Sequence, residues 1–142
     1  MHLAFLFFSL ATGCHPITPG LYVFETTDIR DDTCQMFSLD DFPTDDATIT
    51  WDDKETLRIE REGGDMVMAW DGEFFTLDET FQEDAADGCV LTDHESHVGT
   101  PDGRQTLVLE TDIELDSIGA CGALALSLPC KFTLERIAEI QL

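Results

Sequence analysis

The sequence predicts an all-β domain, an antiparallel meander of about eight strands that closes as an up-and-down β-barrel or, alternatively, folds as a β-sandwich. Three observations predict it. Apolar residues recur at every second position over most of the chain, the period of strands with one buried face. The alternating segments are divided by short stretches of Gly, Asp and Pro, the residues that tight hairpins use. The chain lacks the long crossovers that parallel pairing needs, so sequential strands pair antiparallel. Closure is preferred because it leaves no exposed edge.

The elements follow in order. Residues 21–24 are apolar on both faces and open the first strand. One long connection comes next, residues 28–46, in which Met36-Phe37-Ser38-Leu39 has the composition of a helical turn capping one end. Alternation resumes in Ala47-Ile49-Trp51, in Leu57-Ile59, and in Phe75-Leu77 with Phe81, while residues 66–70 are again apolar on both faces. Residues 89–93 supply a further strand. The clearest case sets Leu107, Leu109, Thr111, Ile113 and Leu115 against Val108, Glu110, Asp112, Glu114 and Asp116, an apolar row inside and an acidic row in water. Leu124-Leu126-Leu128-Cys130-Phe132-Leu134 closes the series. Turns are marked by Asp52-Asp53-Lys54, Gly63-Gly64, Asp71-Gly72, Asp87-Gly88 and Pro101-Asp102-Gly103.

Gly20-Leu21-Tyr22 followed by a single long connection resembles the Gly-x-Trp start and large first loop of lipocalins. The resemblance implies a calycin-like barrel and carries no ligand with it.

Charge excludes several functions. Seven Lys and Arg stand against 30 Asp and Glu, a net charge of −23. Such a field repels phosphate, so nucleic acid is not an expected partner, nor is an anionic lipid surface approached through a basic patch. A cationic protein, a divalent cation or plain solubility are the remaining reasons for it.

The N-terminus reads as an export address. Residues 3–11 form an apolar run well short of the ~20 residues that a spanning helix needs, and small residues stand at Ala11 and Gly13 directly before Cys14. Ala11-Thr12-Gly13-Cys14 resembles the lipobox of bacterial lipoproteins. Leu10 stands one place early for the aliphatic position, and only His2 precedes the apolar run where Lys or Arg is usual. The resemblance implies cleavage after Gly13, a lipid on Cys14 and attachment to a membrane. With His15 next, where lipoproteins kept in the inner membrane commonly carry Asp, it implies the outer membrane of a Gram-negative cell. The expected organisation is a signal peptide over residues 1–13, a linker over 14–19 and a single β-domain over 20–142. Five cysteines are odd for an exported chain, and lipidation of Cys14 leaves Cys34, Cys89, Cys121 and Cys130 for two disulfides in any of three pairings. An ordinary secretory signal would instead leave Cys14 as a free thiol.

No motif assigns catalytic, cofactor or metal residues. Asp93-His94-Glu95-Ser96-His97 departs from the zinc-protease pattern, because its histidines are three apart and, at the end of a strand beside Gly99-Thr100-Pro101, point to opposite faces. The doublets Asp31-Asp32, Asp40-Asp41, Asp45-Asp46 and Asp52-Asp53 lack the rhythm of a calcium loop. No Gly-x-Ser-x-Gly is present. Polar residues are expected mostly on outward strand positions, with Trp51, Trp70, Met66, Met68 and the phenylalanines forming the core or lining a ligand cavity. The expected function is a non-enzymatic, membrane-anchored binding or structural module, partnered by the membrane through its lipid and by a cationic protein or a small apolar ligand. Two alternatives are capture or inhibition of a cationic protein by the acidic surface, and a carboxylate-dependent hydrolase, which would carry a cleft with two acids of split pKa.

Overall fold

A computed structural model of the chain describes residues 14–122 and 128–142. Eight strands run in meander order: β1 (Gly20–Arg30), β2 (Asp45–Asp53), β3 (Thr56–Glu60), β4 (Met66–Trp70), β5 (Phe75–Ala86), β6 (Cys89–Pro101), β7 (Thr106–Gly119) and β8 (Cys130–Ile140). Each pairs antiparallel with the next, and β1 pairs with β8 to close the barrel, Tyr22 standing opposite Ile140. The sandwich alternative therefore falls. Side-chain alternation survives closure: Leu107, Leu109, Thr111 and Ile113 are buried while Glu110, Asp112, Glu114 and Asp116 are exposed.

Several local expectations are corrected. The first long connection is shorter than its sequence implies, because β1 continues to Arg30, and its helical turn is a 3-10 turn over Leu39–Asp41. That turn starts at Ser38, whose backbone N–H donates to Asp41 Oδ2 at 2.7 Å, so the acidic pair Asp40-Asp41 sits in a cap. His94 and His97 do not stand at a strand end: they lie in the middle of β6, which runs on to Pro101, and the turn itself falls at Asp102-Gly103. Part of the alternation in residues 124–134 lies outside the described residues, and β8 begins at Cys130.

The barrel has two differently built ends. At one, β1, β3, β5 and β7 begin, and the interior is packed by Tyr22, Ile49, Leu57, Met68, Phe75 and Leu107. Trp51 and Trp70 pack against Phe75 in tilted pairs, with ring centroids 5.5 and 4.5 Å away, so these aromatics fill that end. The residues ahead of β1, expected as a linker, are packed into it. Ile17 is wholly buried, Trp51 Nε1 donates to the Ile17 carbonyl at 2.9 Å, Tyr22 Oη donates to the Thr18 carbonyl at 2.6 Å, and His15 stacks on Trp51.

The opposite end carries both disulfides. Cys34 is bonded to Cys130 and Cys89 to Cys121. The first ties the long β1–β2 connection to the start of β8, which holds Phe37 and Phe42 over the barrel end against Phe132. Cys14 is exposed with a free thiol, and residues 1–13, the expected signal peptide, lie outside the described residues.

Candidate functional site

Between the two apolar ends lies a polar layer that alternation alone did not reveal. The inward row of β6 reads Cys89, Leu91, Asp93, Glu95, His97, Gly99, so three ionisable residues interrupt an otherwise apolar face. Pairing fixes their direction. Glu95 stands opposite Ile113 and His97 opposite Thr111 on β7, and residues directly opposite in an antiparallel pair share a face. Glu79 on β5 stands opposite Glu95, and Arg136 on β8 opposite Leu109.

A chamber of ≈250 Å³ has a wall that includes Arg61, Asp93, Glu95, His97, Thr111 and Arg136, with Phe37 and Phe42 over it. A second cavity, ≈700 Å³, opens at the disulfide end and is lined largely by Met36, Phe81, Leu91, Leu115 and Leu128. The two share Asp93 and Leu115, so the largely apolar cavity adjoins the polar chamber.

The electrostatics follow from burial. His97 is 3 % exposed, with Nδ1 2.8 Å from Thr111 Oγ1 and Nε2 3.1 Å from both Glu79 Oε2 and Glu95 Oε2. The hydrogen bond with His97 holds the Glu95 carboxyl below the usual carboxylate range. Asp93 is pushed up to about 6 by desolvation, then by the charge of the neighbouring Glu95 and a hydrogen bond with it. Burial pushes the Arg136 guanidinium down from its usual range. Asp93 Oδ1 and Arg136 Nε are both shut off from solvent without a hydrogen-bond partner. Buried polar atoms are normally satisfied, and each exception calls for an explanation.

Among the residues singled out by sequence, His97 enters this layer while His94 faces outward, its Nδ1 2.8 Å from Thr80 Oγ1. The expected opposition of the two histidines is thus what the barrel displays. The acidic doublets are scattered over the β1–β2 connection and the two ends of β2: Asp53 Oδ1 accepts from the Glu55 N–H at 2.8 Å, and Asp52 pairs with Arg58 at 2.8 Å. Among the described residues the three-membered grouping able to hold a metal is Glu79, Glu95 and His97, which contains none of the doublets. Arg61, Glu79, Thr111 and Arg136 carried no motif, and Asp93 and Glu95 stood only in the Asp93-His94-Glu95-Ser96-His97 segment, which assigned no ligand. Their signal was the strand register, which places residues two apart on β6 on one wall.

Compared with known proteins, the chain matches no family model, no curated protein and no solved structure.

Proposed function

We propose that this protein is an exported, membrane-anchored binding barrel that takes a small amphiphilic molecule, head first, through the disulfide end. One observation carries the reading. Arg136 and Asp93, whose Nε and Oδ1 are a buried donor and a buried carboxyl oxygen without partners, border the chamber, and a largely apolar cavity adjoins it. A head group able to accept from Arg136 and to bond Asp93 would satisfy both atoms, while its alkyl part would cover Phe81, Leu91 and Leu115. With a net charge of −23 the protein's field disfavours an anionic head, so a neutral amide or alcohol fits better than a free acid.

Two disulfides are compatible with export, and the anchor reading rests on Cys14, which is exposed beside the plugged end. A lipid there would turn the mouth away from the bilayer, toward the aqueous space. Expression with the signal in a Gram-negative host should incorporate labelled palmitate, and Cys14→Ser should abolish it; mature protein with an unmodified Cys14 would remove the anchor from the proposal.

The ligand reading is tested by thermal unfolding with medium-chain alkyl amides, alcohols and acids. A bound amphiphile at a hundred times its Kd should stabilise the native state by about 2.7 kcal/mol. Arg136→Met should remove that effect. No shift with any of the three classes would overturn the reading.

A second reading has one observation in its favour. Asp93 and Glu95 are two acids of split pKa in one cavity, the signature expected of a carboxylate-dependent hydrolase. They lie two residues apart on the same strand, whereas the acids of a glycosidase flank the scissile bond. A broad hydrolase screen decides it: turnover abolished by Asp93→Asn or Glu95→Gln would make the protein an enzyme.

A further inference from the structure

His97 Nε2 faces two carboxylate oxygens at 3.1 Å each. A bare lone pair there would be repelled by both, so a hydrogen or a cation must stand at that nitrogen. The three residues come from two paired strands: Glu95 and His97 are two apart on the inward face of β6, and Glu79 is directly opposite Glu95 on β5. Like charges opposite one another on a sheet are destabilising unless something positive lies between them.

The spacing suits a metal ion. Ligand atoms at about 2.0–2.1 Å from a tetrahedral zinc ion lie about 3.3–3.4 Å from one another, so the 3.1 Å contacts of His97 need lengthen by only about 0.2–0.3 Å. The three ligand atoms all lie within 4.8 Å of one another, which leaves the Glu79 to Glu95 separation as the distance able to close. We propose that His97 Nε2, Glu79 and Glu95 form a binding site for one divalent cation of the zinc class.

Thr111 is the positioning residue. In the metal-bound state the imidazole carries its one proton on Nδ1 and donates it to Thr111 Oγ1, 2.8 Å away, which turns the Nε2 lone pair onto the ion. The proton at Nε2 leaves to solvent through the chamber, Nδ1 takes one up from solvent where it carries none, and no electron changes hands. An imidazole nitrogen with two carboxylates favours zinc over calcium, which takes six to eight oxygens. Three protein ligands leave a coordination position open, and Glu95 and His97 border the ≈250 Å³ chamber from which water could fill it. The site does not rest on the amphiphile reading, since the metal alone tests it.

The experiment is a zinc titration of the purified, chelator-stripped protein against a chromophoric competitor, with magnesium in excess to occupy surface acids. One equivalent should bind. His97→Gln should weaken the affinity by about a hundredfold or more, and Thr111→Val by about ten- to a hundredfold, with Thr111→Ser restoring it. His94→Gln, on the outer face, should leave it unchanged. In the unsubstituted protein, zinc should move the imidazole Nε2 nitrogen resonance of His97 to a metal-bound position with Nδ1 protonated, a readout independent of whether the variants fold. Absence of stoichiometric binding, equal uptake by His97→Gln, or an unmoved His97 resonance at saturating zinc would each overturn the site.

Discussion

Trp51 and Ile17 are joined by a 2.9 Å hydrogen bond from the indole Nε1 to the Ile17 carbonyl, a contact between the end of β2 and a segment that precedes the described strands. It pins the buried Ile17 side chain under the barrel and leaves Cys14, three residues earlier, exposed beside the plugged end. Trp51→Phe keeps most of the ring contact with Phe75 and deletes the donor. It should cost about 1–2 kcal/mol in urea unfolding. Hydrogen exchange at the Thr18 amide, which donates to Arg104 O at 2.8 Å, should accelerate more than exchange in β7. Uniform acceleration across the barrel would mean that the segment is not a separate plug.

Asp93 makes stability depend on pH in an unusual direction. Its folded-state pKa, about 6, lies above the ordinary aspartate value of 3.8, so the folded protein holds this proton more tightly than the unfolded chain does. The stabilising effect is present in full below about 3.8 and is lost as pH rises through about 6. Asp93→Asn should therefore raise the Tm at pH 8 relative to the parent and bring little gain at pH 4. Glu95 runs the other way, since its depressed pKa gives stability above the unfolded value that is lost as pH falls. Thermal melts of Asp93→Asn and Glu95→Gln across this range should separate the two; a pH-independent difference for Asp93→Asn would contradict the desolvation argument.

The two disulfides should contribute unequally. Cys34–Cys130 spans 96 residues and Cys89–Cys121 spans 32. Loop-closure entropy in the unfolded chain then assigns them about 4.7 and about 3.7 kcal/mol. The Cys34→Ser/Cys130→Ser double variant should be the less stable of the two pairs in urea melts, and it should also loosen Phe37 and Phe42 from Phe132. Equal losses would point to native-state strain or residual structure outweighing chain entropy.

Gly119 has two reasons to be glycine. Its φ is +93°, and a Cβ built on it would lie 2.0 Å from the Gly88 carbonyl oxygen. This close approach stands opposite Cys89, whose disulfide partner is Cys121. Gly119→Ala should destabilise by at least about 2 kcal/mol. Gly103→Ala is the control for backbone strain without crowding, because its φ is +73° and nothing lies within 4 Å of the added atom. Comparing the two in urea melts should show the larger loss at Gly119.

By itself the sequence determined the strands, their short turns, the antiparallel order, the acidic exterior and the four paired cysteines. Each follows from local chemistry. Period-two alternation in residues such as those of β7 needs only a buried face and a wet one, and Gly or Asp at a turn needs only the local backbone. Disulfide partners were not legible, because pairing depends on which Cα atoms approach within reach in three dimensions; Cys34 finds Cys130 only once β8 lies beside β1. The polar layer was hidden for a related reason. Alternation divides a strand into two faces without saying which one turns inward, and in β6 the inward face carries Asp93, Glu95 and His97 where an apolar row marks it elsewhere. Only register with Leu115, Ile113 and Thr111 on β7 turns those three toward the interior, and only closure of the barrel brings Arg136 and Arg61 to the same chamber.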